Sequence, residues 1–207
     1  MLTQENDNPD RHEQILIAAL QVFAENGYEK TTIAEVAKVA GIGKGTVYEY
    51  FENKEQLLCD TMFYYLDCFD PIIDQISRDI ANEAPLEQLK EMLLRMACTY
   101  SKDPTQANLY PAFMEMMVRK PAWMKEAQFV EKCTEGIRTM MRSFIYAAVD
   151  SGDLPEKCRE TANKHAINIL AAFDGLMFDF LMSDDFFDLR EQFSIFIDAY
   201  IGGMQAG

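Results

Sequence analysis

The chain has 207 residues, with 19 Lys+Arg against 34 Asp+Glu and a formal net charge of -15; so acidic a balance excludes a broad basic surface that coats nucleic acid or an anionic membrane. Apolar residues make up 49% of it, enough for a sizeable core and too many for a disordered acidic chain, while 10 glycines and 7 prolines are too few for a loop-rich or all-β fold. The cysteines at 59, 68, 98, 133 and 158 form no C-x-x-C pair and fit free thiols in a reducing compartment; with His12 and His165 as the only histidines, no metal site and no cofactor is expected.

In chain order, residues 1–10 are polar and acidic, without the basic-then-apolar plan of a secretory leader. Leu16, Ala19, Leu20 and Phe23 make one stripe of an amphipathic first helix, and Gly27 follows as a left-handed stop. Thr32 and Glu35 stand at capping-box spacing ahead of a short second helix that Gly41 breaks. A third short helix runs from Lys44 to Tyr50. Asn53 and Gln56 repeat the capping spacing and open a long fourth helix, in which Pro71 predicts a kink near Phe69–Asp70 and a place for a hinge. Pro85 and Pro104 read as first-turn prolines of two further helices, and Pro121 ends or bends the second of them. A long helix is expected from about Trp123 to Asp150, stopped at Gly152. Another runs from Pro155 to about Met182, and a last one, capped by Asp188 and Glu191, runs through Tyr200. The expected fold is therefore all-α with about nine helices. The one boundary worth drawing lies near Asn53, separating residues 1–53 from 54–207. The most apolar stretch, 167–182, is interrupted by Asp174 and Asp179 and is shorter than the roughly 20 apolar residues of a spanning helix. A soluble cytoplasmic protein outside the membrane is expected.

The informative stretch is Thr31 to Glu55, TTIAEVAKVAGIGKGTVYEYFENKE. It reads as helix, glycine turn and second short helix, the plan whose second helix enters the major groove of DNA. Ala37 and Val47 are placed to pack the two helices together. Lys44, Gly45 and Thr46 fall at the N-terminal end of the second helix, where side chains meet base edges. Tyr48 and Tyr50 carry hydroxyls that can bond phosphate, and Lys54 sits where its charge and a helix N-terminus can hold one together. Gly41-Ile42-Gly43-Lys44-Gly45-Thr46 is not a phosphate loop, because Gly45 follows the lysine where Ser or Thr is needed and no strand precedes it.

These residues resemble the DNA-binding domain of the tetracycline-repressor (TetR) family of bacterial transcriptional regulators. The resemblance is carried by Ile15–Phe23 ending in Gly27-Tyr28, by Thr31-Thr32-Ile33, and by Val36-Ala37-x-x-Ala40-Gly41. It continues in Gly45-Thr46-Val47-Tyr48-x-Tyr50-Phe51 and Lys54-Glu55, so that about a quarter of the chain is covered. It implies recognition-helix contacts at Lys44, Gly45, Thr46, Tyr48, Glu49 and Tyr50, and phosphate contacts at Thr32 and Lys54. It also implies a variable helical effector-binding and dimerisation domain in the remainder. Two positions depart from the family pattern: Gly43 stands where a Ser or Thr cap is usual, and Glu49 is acidic. Glu49 can accept from a cytosine amine but is expected to point away from DNA.

The last two helices are apolar almost all round. One has Leu170, Phe173, Met177, Phe180 and Leu181 on one side and Ile167, Ala171 and Phe178 on another; the other has Leu189, Phe193, Phe196, Ile197 and Tyr200, with Ile195 and Ile201 beside them. One face can cover the chain's own core and the other needs a partner, so a two-fold homodimer is expected through Phe178, Leu181, Phe193, Phe196, Ile197 and Tyr200. Methionines and aromatics concentrate between 92 and 144. Residue by residue these read better as ordinary core; it is the family resemblance that implies an apolar effector pocket, expected to be lined by Met96, Tyr100, Tyr110, Phe113, Met114, Met117 and Phe144, with Phe173. The expected function is a homodimeric, ligand-responsive repressor that binds double-stranded operator DNA and is released by a small apolar or amphipathic effector. The alternative is an all-helical ligand-binding or enzyme domain with a vestigial helix-turn-helix. No catalytic constellation of Ser/His/Asp or Cys/His is legible, so no enzyme activity is expected.

Overall fold

The computed structural model describes residues 10–102, 104–122, 128–182 and 187–206. Among these, every regular element is helical, in the order α1 (Arg11–Lys30), α2 (Ile33–Val39), α3 (Lys44–Tyr50), α4 (Lys54–Asp67), α5 (Asp70–Asp79), α6 (Pro85–Tyr100), α7 (Pro104–Arg119), α8 (Phe129–Asp150), α9 (Lys157–Met182) and α10 (Leu189–Ala206).

Local chemistry explains most boundaries. Asp10 caps α1 by accepting from the Glu13 N–H at 2.9 Å. Gly27 interrupts α1 at φ +74°, a backbone that residues with a Cβ rarely adopt. The Thr31 hydroxyl then donates to the Gly27 carbonyl at 2.7 Å. At α2 the capping box is complete: the Glu35 N–H donates to Thr32 Oγ1 at 3.2 Å and the Glu35 carboxylate accepts from the Thr32 N–H at 2.9 Å. At α4 the spacing is used differently. Asn53 accepts from the Gln56 N–H at 2.8 Å, but the Gln56 side chain accepts from the Glu52 N–H, one residue further back.

Two expectations need correcting. The kinked fourth helix is two helices: α4 closes at Cys68 and α5 begins at Asp70, so Pro71 lies in a first turn, where its missing N–H breaks no helical bond. The last helix does not stop at Tyr200 but continues to Ala206, which buries Met204 and brings its carbonyl 3.8 Å from Cys158 Sγ. Pro111 sits inside α7 on its exposed side. The expected start at Trp123 lies outside the described residues.

The chain forms two compact units. The first comprises residues up to Asp70 together with 103–133; the second comprises 71–102 and 134–207. In the first, α1 is the central element, packed by α2, α4 and α7. Its core contains Ile15, Ala19, Phe23, Val36, Val47, Leu57 and Leu58, all fully or almost fully buried. In the second, α10 packs on α6 and α9, around Leu89, Met92, Ile169, Phe173, Phe193 and Ile197. The Lys90–Asp198 ion pair (2.6 Å) closes the edge of the α6–α10 contact.

α9 is long and apolar enough to cross a bilayer by length and composition alone. Its inner side is nevertheless packed: Ile169, Leu170, Phe173 and Met177 are buried in the second unit.

Candidate nucleic-acid interface

α2 and α3 are joined by a turn in which Gly41 stands at φ +69° and the Ile42 N–H donates to the Ala37 carbonyl at 2.9 Å. Val36, Ala37 and Val47 lie beneath it, between 0% and 2% exposed, so the pair is held by a dry apolar seam. α3 turns Val47 and Phe51 into that seam. Lys44, Gly45, Tyr48, Glu49 and Tyr50 are exposed and Thr46 is half-buried. At 100° per residue, Glu49 and Gly45 stand on the side opposite Val47 and Phe51, the outermost line of the helix. Gly43 supplies no side-chain cap to α3.

The aromatic edge of this surface is organised by packing. The Lys44 ammonium lies 5.6 Å from the centroid of the Tyr48 ring, a cation–π arrangement that limits where both side chains reach. His12 of α1 stacks on Phe51 (5.0 Å between centroids, 22° between planes) and lies 6.0 Å from Tyr50. His12 therefore flanks the exposed ring of Tyr50. No local sequence signal places a first-helix histidine against the third helix.

Two expected phosphate contacts are otherwise engaged. Lys54 donates to the carbonyls of Tyr28 (2.9 Å), Glu29 (3.2 Å) and Thr31 (3.2 Å), and its ammonium lies 4.3 Å from the centroid of the Tyr28 ring. Its three N–H donors are matched by three carbonyls that the broken end of α1 leaves without helical partners. In this geometry Lys54 ties α1 to α4 and has no donor left for a phosphate. Thr32 uses its hydroxyl and its N–H inside the α2 capping box.

The same corner holds an ionic junction with α7. Glu55 accepts from the Tyr28 hydroxyl at 2.8 Å and from Lys120 at 2.9 Å. Arg119 pairs with Glu29 at 2.9 Å and with Glu115 at 3.2 Å, and Glu115 accepts from the Glu29 N–H at 3.2 Å. Burial alone would raise the Glu55 carboxyl, but hydrogen bonds from Lys120 and Tyr28 outweigh it and hold Glu55 below the ordinary carboxylate range. Burial, with Glu55 beside it, pushes the Tyr28 phenol well above its usual value. The C-terminal end of α7 is thus fastened to the end of α1 and the start of α4, directly behind the helix-turn-helix. Of these groups only the Lys54-Glu55 pair and Tyr28 stood out in the sequence; Glu29, Glu115, Arg119 and Lys120 are ordinary helix-surface residues until the fold assembles them.

The residues expected at an effector divide between the units. Phe113 is buried in the first unit, with Met114 and Met117 half-buried beside it on α7. Met96 and Phe173 are buried in the second, and Phe144 is half-buried there. The Tyr100 and Tyr110 side chains lie outside what is described. The residues expected at a dimer interface also divide. Phe178 is exposed and Leu181, Phe196 and Tyr200 are half-buried. Phe193 and Ile197, however, are 0% exposed inside the chain's own core, Phe193 against Phe173 at 5.0 Å. They cannot face a partner without opening that packing. The Tyr200 hydroxyl is held by His165 Nδ1 (2.9 Å) and by the Asn168 amide (3.2 Å).

Residues 15–60 match the family of bacterial regulatory proteins of the TetR type, and residues 84–206 match the C-terminal region of the MAATS-type transcriptional repressors. Over its whole length the chain is similar to the fatty acid metabolism regulator protein of Bacillus subtilis, 23% identical over 194 residues that cover 94% of this chain and 95% of the relative. Two solved structures share the fold. One is a TetR transcription regulator from Haloarcula marismortui (TM-score 0.74, 24% identity, 94% of this chain and 98% of that one). The other is the transcriptional regulator FadR from Bacillus subtilis in complex with stearoyl-CoA (TM-score 0.70, 22% identity, 93% and 98%). The C-terminal match alone spans more than half of the chain, and with the helix-turn-helix match it makes this protein a member of the TetR family of DNA-binding transcriptional regulators, with a C-terminal region of the MAATS repressor type.

Proposed function

We propose that this chain acts as a cytoplasmic homodimeric repressor, with residues 1–53 reading an operator and residues 54–207 binding an effector and the second protomer. The observation that carries the reading is α3 itself: an exposed polar and aromatic face on an intact buried frame. A vestigial helix-turn-helix on a ligand-binding or enzyme domain has no reason to keep both. Lys44, Gly45, Thr46, Tyr48 and Tyr50 would meet bases and phosphates. Glu49, on the outermost line of the helix, would enter the groove and accept from a cytosine amine instead of pointing away. Lys54 and Thr32 would act one step back, by fixing the frame.

Dimerisation is supported by the uncovered side of α9, where Ile167, Phe178 and Met182 remain exposed at four- and eleven-residue spacings, and by Ile195 of α10, 58% exposed. Two such faces form a four-helix bundle and give two copies of α3 for half-sites about one helical turn of DNA apart. The effector we favour is an acyl compound, because a full-length structural neighbour was solved with stearoyl-CoA and the expected lining residues are aromatic or thioether. Within the first unit, α7 carries Phe113, Met114 and Met117 ahead of the Arg119 and Lys120 junction, so a displacement of α7 would pull on the ends of α1 and α4.

A fluorescence-anisotropy titration of the purified protein on DNA from upstream of its own gene tests the reading. Specific binding that an acyl thioester weakens is expected. Absence of sequence preference at low salt, with or without acyl compounds, would sink it.

A further inference from the structure

We infer that the second unit contains a receptor for an anionic group, a carboxylate or a phosphate, built on Arg138 of α8; the inference rests on the effector reading above and gives that effector an acidic head. Arg138 shares a stripe of α8 with Met141 and Ile145, which are 1% and 0% exposed. Its side chain is 19% exposed. One terminal nitrogen donates to Glu135 at 3.0 Å, but Nε has no solvent contact and no hydrogen-bond partner, the one such side-chain atom among the described residues. A buried N–H of a charged group left without an acceptor is costly, and native structures rarely keep one unless something else fills it.

The local charge points the same way. Arg142, 21% exposed, also pairs with Glu135, at 2.8 Å, so two shielded guanidiniums share one carboxylate that is itself 51% exposed. Arg142 is otherwise satisfied, by Asn163 of α9 at 3.0 Å and by Thr139 at 2.7 Å. The unmatched donor belongs to Arg138, and the surplus positive charge to the Arg138–Arg142 pair. In a chain of net charge -15, a shielded cationic pair on the α8 stripe that carries Met141 and Ile145 selects a molecule with an apolar body and one anionic end. A guanidinium suits either oxyanion.

Isothermal titration of the full chain with dodecanoate, dodecanoyl-CoA and methyl dodecanoate separates the sources. At least one anionic probe should bind about tenfold or more tighter than the ester, the loss expected for a charged hydrogen bond. The tighter of the two names carboxylate or phosphate. Arg138→Met, of similar length and apolar, should abolish that advantage while leaving ester affinity within about twofold. Arg138→Lys, which keeps the charge but has no Nε, should retain only part of it, and it carries the test if the Met variant fails to fold by circular dichroism. Three probes bound equally, none bound, or an advantage that survives in Arg138→Met each overturn the inference. Operator binding is read in the same preparations. Its absence beside an intact anion preference sinks the regulator reading only, and its presence without any anion preference sinks the receptor only.

Discussion

Tyr28→Phe is the cleanest single perturbation of the junction behind the DNA-reading helices. It removes one oxygen. The ring stays buried, at 4% exposure in the wild type, and keeps the Lys54 ammonium at its face, 4.3 Å away. What is lost is one 2.8 Å hydrogen bond to Glu55, a carboxylate whose side chain is 16% exposed. A hydrogen bond to a charged group contributes about 1.5–3 kcal/mol. Glu55 keeps Lys120, but that partner is 48% exposed, and a pair so open to water adds at most about 1 kcal/mol. The expected destabilisation is therefore about 2 kcal/mol, or roughly 4–8 °C in Tm for a chain of this size. The dependence on pH has a definite sign. The folded-state pKa of Glu55 is depressed, so its contribution is present above the unfolded value and is lost as pH falls through the folded one. The gap between wild type and variant should be full at pH 7 and narrow below about pH 4. Urea denaturation at several pH values measures it. A gap under about 0.5 kcal/mol at pH 7, or one that does not narrow in acid, refutes the argument that this bond holds the corner together.

Three further outcomes are expected. Lys44→Ala should weaken operator binding and lower the salt slope by about one phosphate, whereas Lys54→Met should lower Tm and leave the slope unchanged; equal slope changes would return Lys54 to the phosphate backbone. Phe178→Glu should convert a dimer to monomer in sedimentation equilibrium, while a dimer that persists unchanged would move the interface off this side of α9. Pro71→Ala should alter effector-induced release from the operator if the α4–α5 break serves as a hinge; unchanged release removes that role.

Whatever depends on neighbours within about four residues was legible in the chain before it folded. Stripes at helical spacing, the Thr32–Glu35 box, the positive-φ glycines at 27, 41 and 152, and the first-turn prolines are local devices, and the structure uses each of them. Together they made an all-α chain and a helix-turn-helix legible. Which groups those helices bring together follows from packing across the chain. Lys54 looks like a phosphate ligand until α1 returns three carbonyls from up to 26 residues away, and Glu115 meets the Glu29 N–H across 86 residues. Phe193 and Phe178 are equally apolar in the sequence, yet one is sealed against Phe173 and the other left open. Periodicity states that a helix has two apolar sides; only packing says which side its own chain covers. Arg138 is the same case in polar form: nothing local distinguishes it from Arg142, and only the fold leaves its Nε enclosed without an acceptor.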